Sequence, residues 1–306
     1  PATKGWGLRL FGRGQLTPVP RRADVTGWGD FRLHSVPEPV AIDPEKDLAL
    51  LQYTGGTTGT PKGAMLTHQN LTANARQVRA VDPDHNRRDM VLGVLPLFHV
   101  FANTCVLNRT VANAGCIAML PRFDIPQVLA TSRRVRPTSL FAVPTMYQAL
   151  LDHPALKRDH FSSLRETVSG GAPLPLPLKR SFEERTGVRG IEGYGLTESS
   201  GVVATNPLQG KNREGTIGQA LPLTRVRLLD KDDPARDPPA GEPGELAVSG
   251  PQVMQGYWNR PDYTSAFVER DGQRWLRKGD IAQIESDGFL RIVDRLKDMI
   301  NVSGFK

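Results

Sequence analysis

Only two cysteines, Cys105 and Cys116, occur in 306 residues. Two thiols make neither a disulfide framework nor a four-thiolate zinc site, which fits a reducing, intracellular setting. Histidine is sparse too: His34, His68, His85, His99, His153 and His160 show no metal-ligand spacing. The longest uncharged stretch, residues 91–108, approaches the ~18 residues of a membrane span, but Pro96, His99, Asn103 and Asn108 interrupt it. Residues 1–22 show neither a long apolar core nor a cleavage site, so no export signal is visible. The surroundings of Ser169, Thr167-Val168-Ser169-Gly170-Gly171, do not fit G-x-S-x-G, and a serine-hydrolase elbow is not supported. Residues 71–136 lack lysine and glutamate altogether, holding nine arginines against four aspartates.

What is present describes a globular chain. Hydrophobic residues make up 39%, with 30 glycines beside them, which argues against disorder, collagen or a coiled coil. At roughly 150 residues per domain, the length suggests two domains. A net charge of +7 and a pI near 9.6 invite nucleic acid, acidic membranes or anionic ligands. No compact Lys/Arg block interleaved with aromatics appears, so no nucleic-acid partner is expected. The arginine excess of 71–136 instead raises peripheral contact with an anionic membrane as a hypothesis.

From about residue 48 to 198, short apolar runs alternate with segments of helical spacing, the signature of a parallel α/β sheet. Strands are predicted at 48–53, 91–95, 116–120, 139–143 and 165–169. Helices are predicted from Thr67, a cap, through Leu71, Ala75 and Val78, and at 101–112, 125–133, 145–151 and 176–185. Beyond 198, short strands at 225–229, 244–249 and 281–285 alternate with Pro, Gly and Asp-Gly turns, and Asp287-Gly288 marks a hairpin. The predicted fold class is therefore α/β: a layered parallel-sheet core followed by a smaller β-rich subdomain. The expected divisions are a loop-rich segment 1–40, an α/β subdomain 41–200, a β-rich subdomain 201–293 and a hinge 294–306.

The richest segment for chemistry is Tyr53-Thr54-Gly55-Gly56-Thr57-Thr58-Gly59-Thr60-Pro61-Lys62-Gly63, read as a phosphate-gripping loop between a strand and a helix. Glycines allow close backbone approach, threonine hydroxyls donate, and Lys62 adds a mobile charge. It is not a Walker loop, because Pro61 precedes Lys62 and Gly63 stands where a magnesium-binding hydroxyl would be. Further on come Gly193-Tyr194-Gly195-Leu196-Thr197-Glu198-Ser199, Trp275-Leu276-Arg277-Lys278-Gly279-Asp280 and Asp294-Arg295-Leu296-Lys297-Asp298.

These four segments, in this order, resemble the adenylate-forming enzymes, a superfamily of acyl-CoA synthetases, luciferases and peptide-synthetase adenylation domains. With Pro96-Leu97-Phe98-His99 and the stretch 287–295, the wording is closest to bacterial long-chain fatty acid CoA ligases. The resemblance covers residues 40–306. It implies ATP/AMP and magnesium as cofactors, fatty acid and coenzyme A as substrates, and a cytoplasmic enzyme; the oligomeric state is not implied. The implied reaction joins a carboxylate to ATP, giving acyl-adenylate and pyrophosphate, and then transfers the acyl group to the coenzyme A thiol.

Within that resemblance Thr54 to Gly59 and Lys62 grip phosphates. Tyr194 offers a face for stacking a base, with Gly171-Ala172-Pro173 as a side-chain-poor wall opposite and Gly195 beside it. Glu198 offers magnesium a hard oxygen, and Thr197 a donor to the α-phosphate. Asp280 is suited to the two hydroxyls of a ribose, and Arg295 to ribose or phosphate. The resemblance also implies contact of His99 with the acyl carboxylate or tunnel, and a hinge at Lys297. Plainer readings stay open: a core role for Tyr194 or His99, a turn glutamate at 198, a surface ion pair for Asp280 or Arg295. Lys278 departs from the family, which usually has threonine there. The family's C-terminal domain and much of its N-terminal α/β portion have no counterpart, so a fragment truncated at both ends is expected, binding nucleotide but adenylating slowly. A non-catalytic nucleotide-binding protein and an aromatic-acid CoA ligase are the alternatives.

Overall fold

Residues on β5 (Ser139–Ala142) alternate between two cores, as a strand covered on both faces must. Leu140 and Ala142 pack with Val128, Leu150 and Phe182, while Phe141 points the other way, to Val78, Cys105 and Val202. A computed structural model describes residues 22–25, 38–54, 61–84, 88–210 and 212–296, with backbone alone for 262–264. Residues 1–42 and residues 43–306 form two compact units.

Seven strands form the main sheet in the order β4-β3-β5-β6-β7-β8-β9. The first five, β4 (Cys116–Met119), β3 (Met90–Gly93), β5, β6 (Glu166–Ser169) and β7 (Gly190–Tyr194), are parallel. The short β8 (Ala204–Thr205) and β9 (Gln219–Ala220) continue it antiparallel. Helix α1 (His68–Ala80) and helix α2 cover one face. Helix α2 runs Val100–Ala102, widens to a π-helix over Asn103–Asn108 and returns to α over Arg109–Ala112. Helices α3 (Ile125–Val135), α4 (Pro144–Asp152) and α5 (Leu176–Thr186) cover the other. The doubly covered parallel core is the α/β architecture expected.

A second sheet follows: β10 (Arg225–Leu229), β11 (Gly244–Ser249), β13 (Gln273–Ile284) and β12 (Phe267–Arg270), all antiparallel neighbours, with β14 (Leu290–Arg295) also on β13. Polar residues of α1 tie the two sheets together. Thr67 and Asn70 form a reciprocal capping box, and Asn70 Nδ2 also donates to the carbonyls of Pro251 and Val253. Asn74 donates to the Val202 carbonyl and accepts from its N–H.

Two expectations are corrected. The strand at β1 (Leu48–Thr54) lies outside the parallel sheet: it pairs antiparallel with β2 (Lys62–Thr67). The Gly/Thr loop therefore connects two strands of a hairpin instead of a strand and a helix. Ala64 and Leu66 drive this, both fully buried against Val100, Met254, Tyr257 and Leu276. Among the described residues, no helix is long and apolar enough to cross a membrane.

The N-terminal edge of the parallel sheet holds a buried ion network. Arg109 of α2 reaches Asp82 at 2.5 Å, Asp89 at 2.8 Å and Glu166 at 3.6 Å. Thr138 and Arg165 also donate to Asp89. Burial would raise the Asp89 carboxyl, but Arg109, Thr138 and Arg165 outweigh it and hold it below its ordinary range. Burial wins at Glu166, whose carboxyl is raised. Removing Arg109 takes the shared cation from three buried carboxylates and leaves Arg165 on Asp89. Arg109→Met is therefore expected to destabilise the fold by about 3–5 kcal/mol, measured by urea unfolding at neutral pH; a loss too small to resolve would refute this account of the network.

Candidate functional site

The second sheet contains an irregularity with consequences for the first. Where β11 advances from Glu245 to Ala247, its partner β13 runs from Ile281 back to Arg277, so Lys278-Gly279-Asp280 bulges out of the ladder. Gly279 sits at φ 80°, in the left-handed region that strains an L side chain. Glu245 secures the bulge, accepting from the Gly279 N–H at 2.8 Å and pairing with Arg277. The bulge turns Lys278 and Asp280 toward the C-terminal end of β7.

That end is equally constrained. After Tyr194 the chain passes Gly195 and Leu196 into a 3₁₀ turn, Thr197–Ser199. A Cβ on Gly195 would overlap the carbonyl of Gly201, so only glycine permits the approach. The Glu198 carbonyl accepts from the Met254 N–H at 2.8 Å, anchoring the turn.

Two carboxylate clusters result. Glu198, 2% exposed, accepts at Oε1 from the Tyr257 hydroxyl at 2.5 Å and from Lys278 Nζ at 2.7 Å. Burial alone would raise the Glu198 carboxyl, but the Lys278 ammonium and the Tyr257 hydroxyl outweigh it and hold it below the usual range. Asp280, also 2% exposed, accepts at Oδ2 from the Tyr194 hydroxyl at 2.5 Å and at Oδ1 from Arg295 Nε, its partner across β13 and β14. Burial and the Asp280 charge push the Tyr194 phenol well up, so it remains a donor. Asp280 thus lies inside β13 with both oxygens engaged. A carboxylate has about four lone-pair sites, which leaves each oxygen further capacity to accept.

Lys62 opens β2 opposite Thr54, and its Nζ lies 5.7 Å from the Tyr257 ring centroid, the same distance as Lys278 Nζ. One ring thus carries two ammonium groups. Gly171-Ala172-Pro173 leaves β6 beside β7, where Ser169 pairs with Glu192, and Leu174 N–H donates to Glu192 at 3.1 Å. His99 stands apart, exposed beyond β3 with its ring 4.9 Å from that of Phe98, which removes the core-histidine reading. Thr197 opens the 3₁₀ turn, partly buried. Gly55, Gly56, Thr57, Thr58, Gly59 and Lys297 lie outside the described residues.

A family profile described as AMP-binding enzyme matches residues 13–258. The chain belongs to this family. It is 44% identical over 265 residues to the long-chain-fatty-acid–CoA ligase of Bacillus subtilis, covering 86% of the chain and 47% of that protein. It is 43% identical over 268 residues to a feruloyl-CoA synthase of Amycolatopsis sp, covering 87% and 52%. Among solved structures, ATP-bound MatB from Rhodopseudomonas palustris superposes with a TM-score of 0.77 at 34% identity, covering 87% of the chain and 51% of MatB. The chain spans about half the length of the curated relatives it matches.

Two members of the cluster in this AMP-binding chain escape the sequence reading. Tyr257 carries no motif, although a buried tyrosine hydroxyl needs a partner. Lys278 stands out only as a departure from threonine. Its position bears on magnesium. Among the described residues no group of three or more His, Cys, Asp or Glu could hold a metal ion. Glu198 Oε1 already accepts an ammonium and a hydroxyl. With Glu198 Oε1 committed to Lys278, the described residues form no protein-only cage for a resident magnesium ion.

Because the folded value of Glu198 is lowered, its contribution to stability is present above the unfolded value of about 4.3 and is lost as the pH falls through the folded value. Urea midpoints followed from about pH 6 to about pH 3 are expected to fall less steeply for Glu198→Gln than for the wild type; parallel curves would contradict the assignment. For the second cluster, a double-mutant cycle of Tyr194→Phe and Asp280→Asn is expected to give a coupling of about 0.5–3 kcal/mol in urea unfolding. Strict additivity would separate the two side chains.

Proposed function

We propose that the chain is the nucleotide-binding core of a fatty acid CoA ligase, which joins a carboxylate to ATP as acyl-adenylate with release of pyrophosphate and then forms the coenzyme A thioester. The observation that carries this reading is the convergence of Tyr194 and Glu198, from the end of β7, with Lys278, Asp280 and Arg295, from the second sheet. Ligands of open α/β sheets bind outside the C-terminal ends of the strands, where this cluster stands. The similarity to the Bacillus subtilis ligase and to ATP-bound MatB supports the same reading.

The first step asks little acid–base chemistry of the protein. A carboxylic acid with a pKa of about 4–5 is already ionised at neutral pH, so the site must gather anions and neutralise them. In this reading Lys62 and Lys278 meet the phosphates, Thr197 donates to the α-phosphate, and Asp280, steadied by Arg295, accepts from the ribose hydroxyls. Tyr194 presents its ring to the base, against Gly171 to Pro173, and Gly195 keeps the approach open. His99 meets the acyl carboxylate, and Gly55 to Gly59 wrap the phosphates from Thr54 onward. Lys297 is the proposed hinge. In this reading magnesium enters with the nucleotide phosphates, since Glu198 already has its cation in Lys278.

A second reading, an aromatic-acid CoA ligase, is favoured by the similarity to feruloyl-CoA synthase. The enzyme works in the cytoplasm in either case, with contact at the inner face of a membrane as an added hypothesis. Sedimentation with anionic vesicles at low salt tests that contact, and no sedimentation would discard it. Calorimetry on the 306-residue chain is expected to show AMP binding, weakened at least about tenfold by Tyr194→Ala or Asp280→Ala. Equal affinity in all three proteins would remove the site. A panel of fatty, aromatic and amino acids offered to the full-length parent with ATP and coenzyme A then separates the two readings by which acid forms a thioester.

A further inference from the structure

Lys278 is the cation that meets Glu198 in this structure. Its Nζ is 2.7 Å from Oε1 and 3.0 Å from the Tyr257 hydroxyl, which donates to the same oxygen. The arrangement differs from a surface ion pair in three respects. The carboxylate is 2% exposed, so without a cation its charge would be unpaired out of water. Tyr257 fixes the geometry from a buried position, its ring 6% exposed among Ala64, Leu66 and Leu276. The bulge that holds Lys278 is itself pinned by Glu245 through the Gly279 N–H.

Magnesium, by contrast, keeps several waters and asks for one or two carboxylates together with substrate phosphates. Here Glu198 Oε1 is already met by nitrogen and hydroxyl donors. We infer that Lys278 is the resident counter-cation of Glu198, a positioning residue that takes the place of a divalent ion there, so that nucleotide phosphates are met by a protein ammonium. The inference rests on the reading of this cluster as the nucleotide site. It has a direct corollary: nucleotide affinity in this chain depends weakly on divalent ions, and replacing Lys278 by the neutral threonine restores that dependence.

The test is calorimetric titration of ATP into the 306-residue chain, as wild type, Lys278→Thr and Lys278→Arg, in magnesium chloride and in EDTA. Manganese binding to the nucleotide-free proteins, followed by electron paramagnetic resonance, is the second readout. On removal of magnesium, affinity is expected to change by less than about threefold in wild type and Lys278→Arg, and to fall at least about tenfold in Lys278→Thr. Lys278→Thr is also expected to gain a manganese site that wild type lacks. A wild-type affinity that falls tenfold in EDTA overturns the inference, whether or not the threonine variant folds. If wild type binds no ATP in either buffer, the nucleotide reading fails, and the manganese readout still decides the cation: a site gained in Lys278→Thr upholds it, and manganese bound by wild type at Glu198 overturns it.

Discussion

Two buried carboxylates, each clamped between a tyrosine hydroxyl and a basic side chain, hold the parallel sheet and the β10–β14 sheet in one arrangement. The clamps cross. Glu198 sits at the end of the parallel sheet and takes its cation, Lys278, from the second sheet, whereas Asp280 sits in the second sheet and takes a hydroxyl, Tyr194, from the first. A buried carboxylate without its partner is costly, so neither sheet settles fully until both are in register. Assembly of the candidate site and docking of the sheets are thus one event, and a ligand that inserts there acts on the joint between layers.

The opposite end of the parallel sheet is built on the same chemistry to a different purpose. Arg109 collects Asp82, Asp89 and Glu166 at the N-terminal edges of the strands, nearly out of contact with water. Arg109, Asp82 and Asp89 have side chains at most 1% exposed there, and the charges tie helix α2 to the approach to β3 and to β6. Both ends of the sheet therefore hold buried ions. They differ in exposure: the Arg109 side chain is 1% exposed, while Lys278 and Arg295 remain partly exposed, at 30% and 41%.

Much of this was legible in the sequence, and the rest was hidden for identifiable reasons. Alternating apolar runs revealed the parallel strands, because a doubly covered strand must be apolar on both faces. Tyr194, Glu198, Asp280 and Arg295 sat in recognisable segments, and the fold brings them together. Strand β2 was missed because Lys62-Gly63 reads as loop until Ala64 and Leu66 are seen buried. Asp271-Gly272, which turns β12 into β13 with φ of 54° and 68°, carries the same hairpin signal as Asp287-Gly288 but went unread. Tyr257 had no signal at all: its partners, Glu198 and Lys278, lie 59 and 21 residues away in the chain, and only tertiary structure joins them.

The bulge at Lys278-Gly279-Asp280 sets a limit on how such a site can change over generations. Side chains of a strand alternate in direction, so adding or removing one residue there would send every later side chain to the opposite face and uncouple Arg295 from Asp280. Exchange of one residue for another carries no such penalty at 278, where the backbone path does not depend on the side chain. The segment is therefore strict in length and at Gly279 and Asp280, while position 278 can change its side chain without moving the backbone.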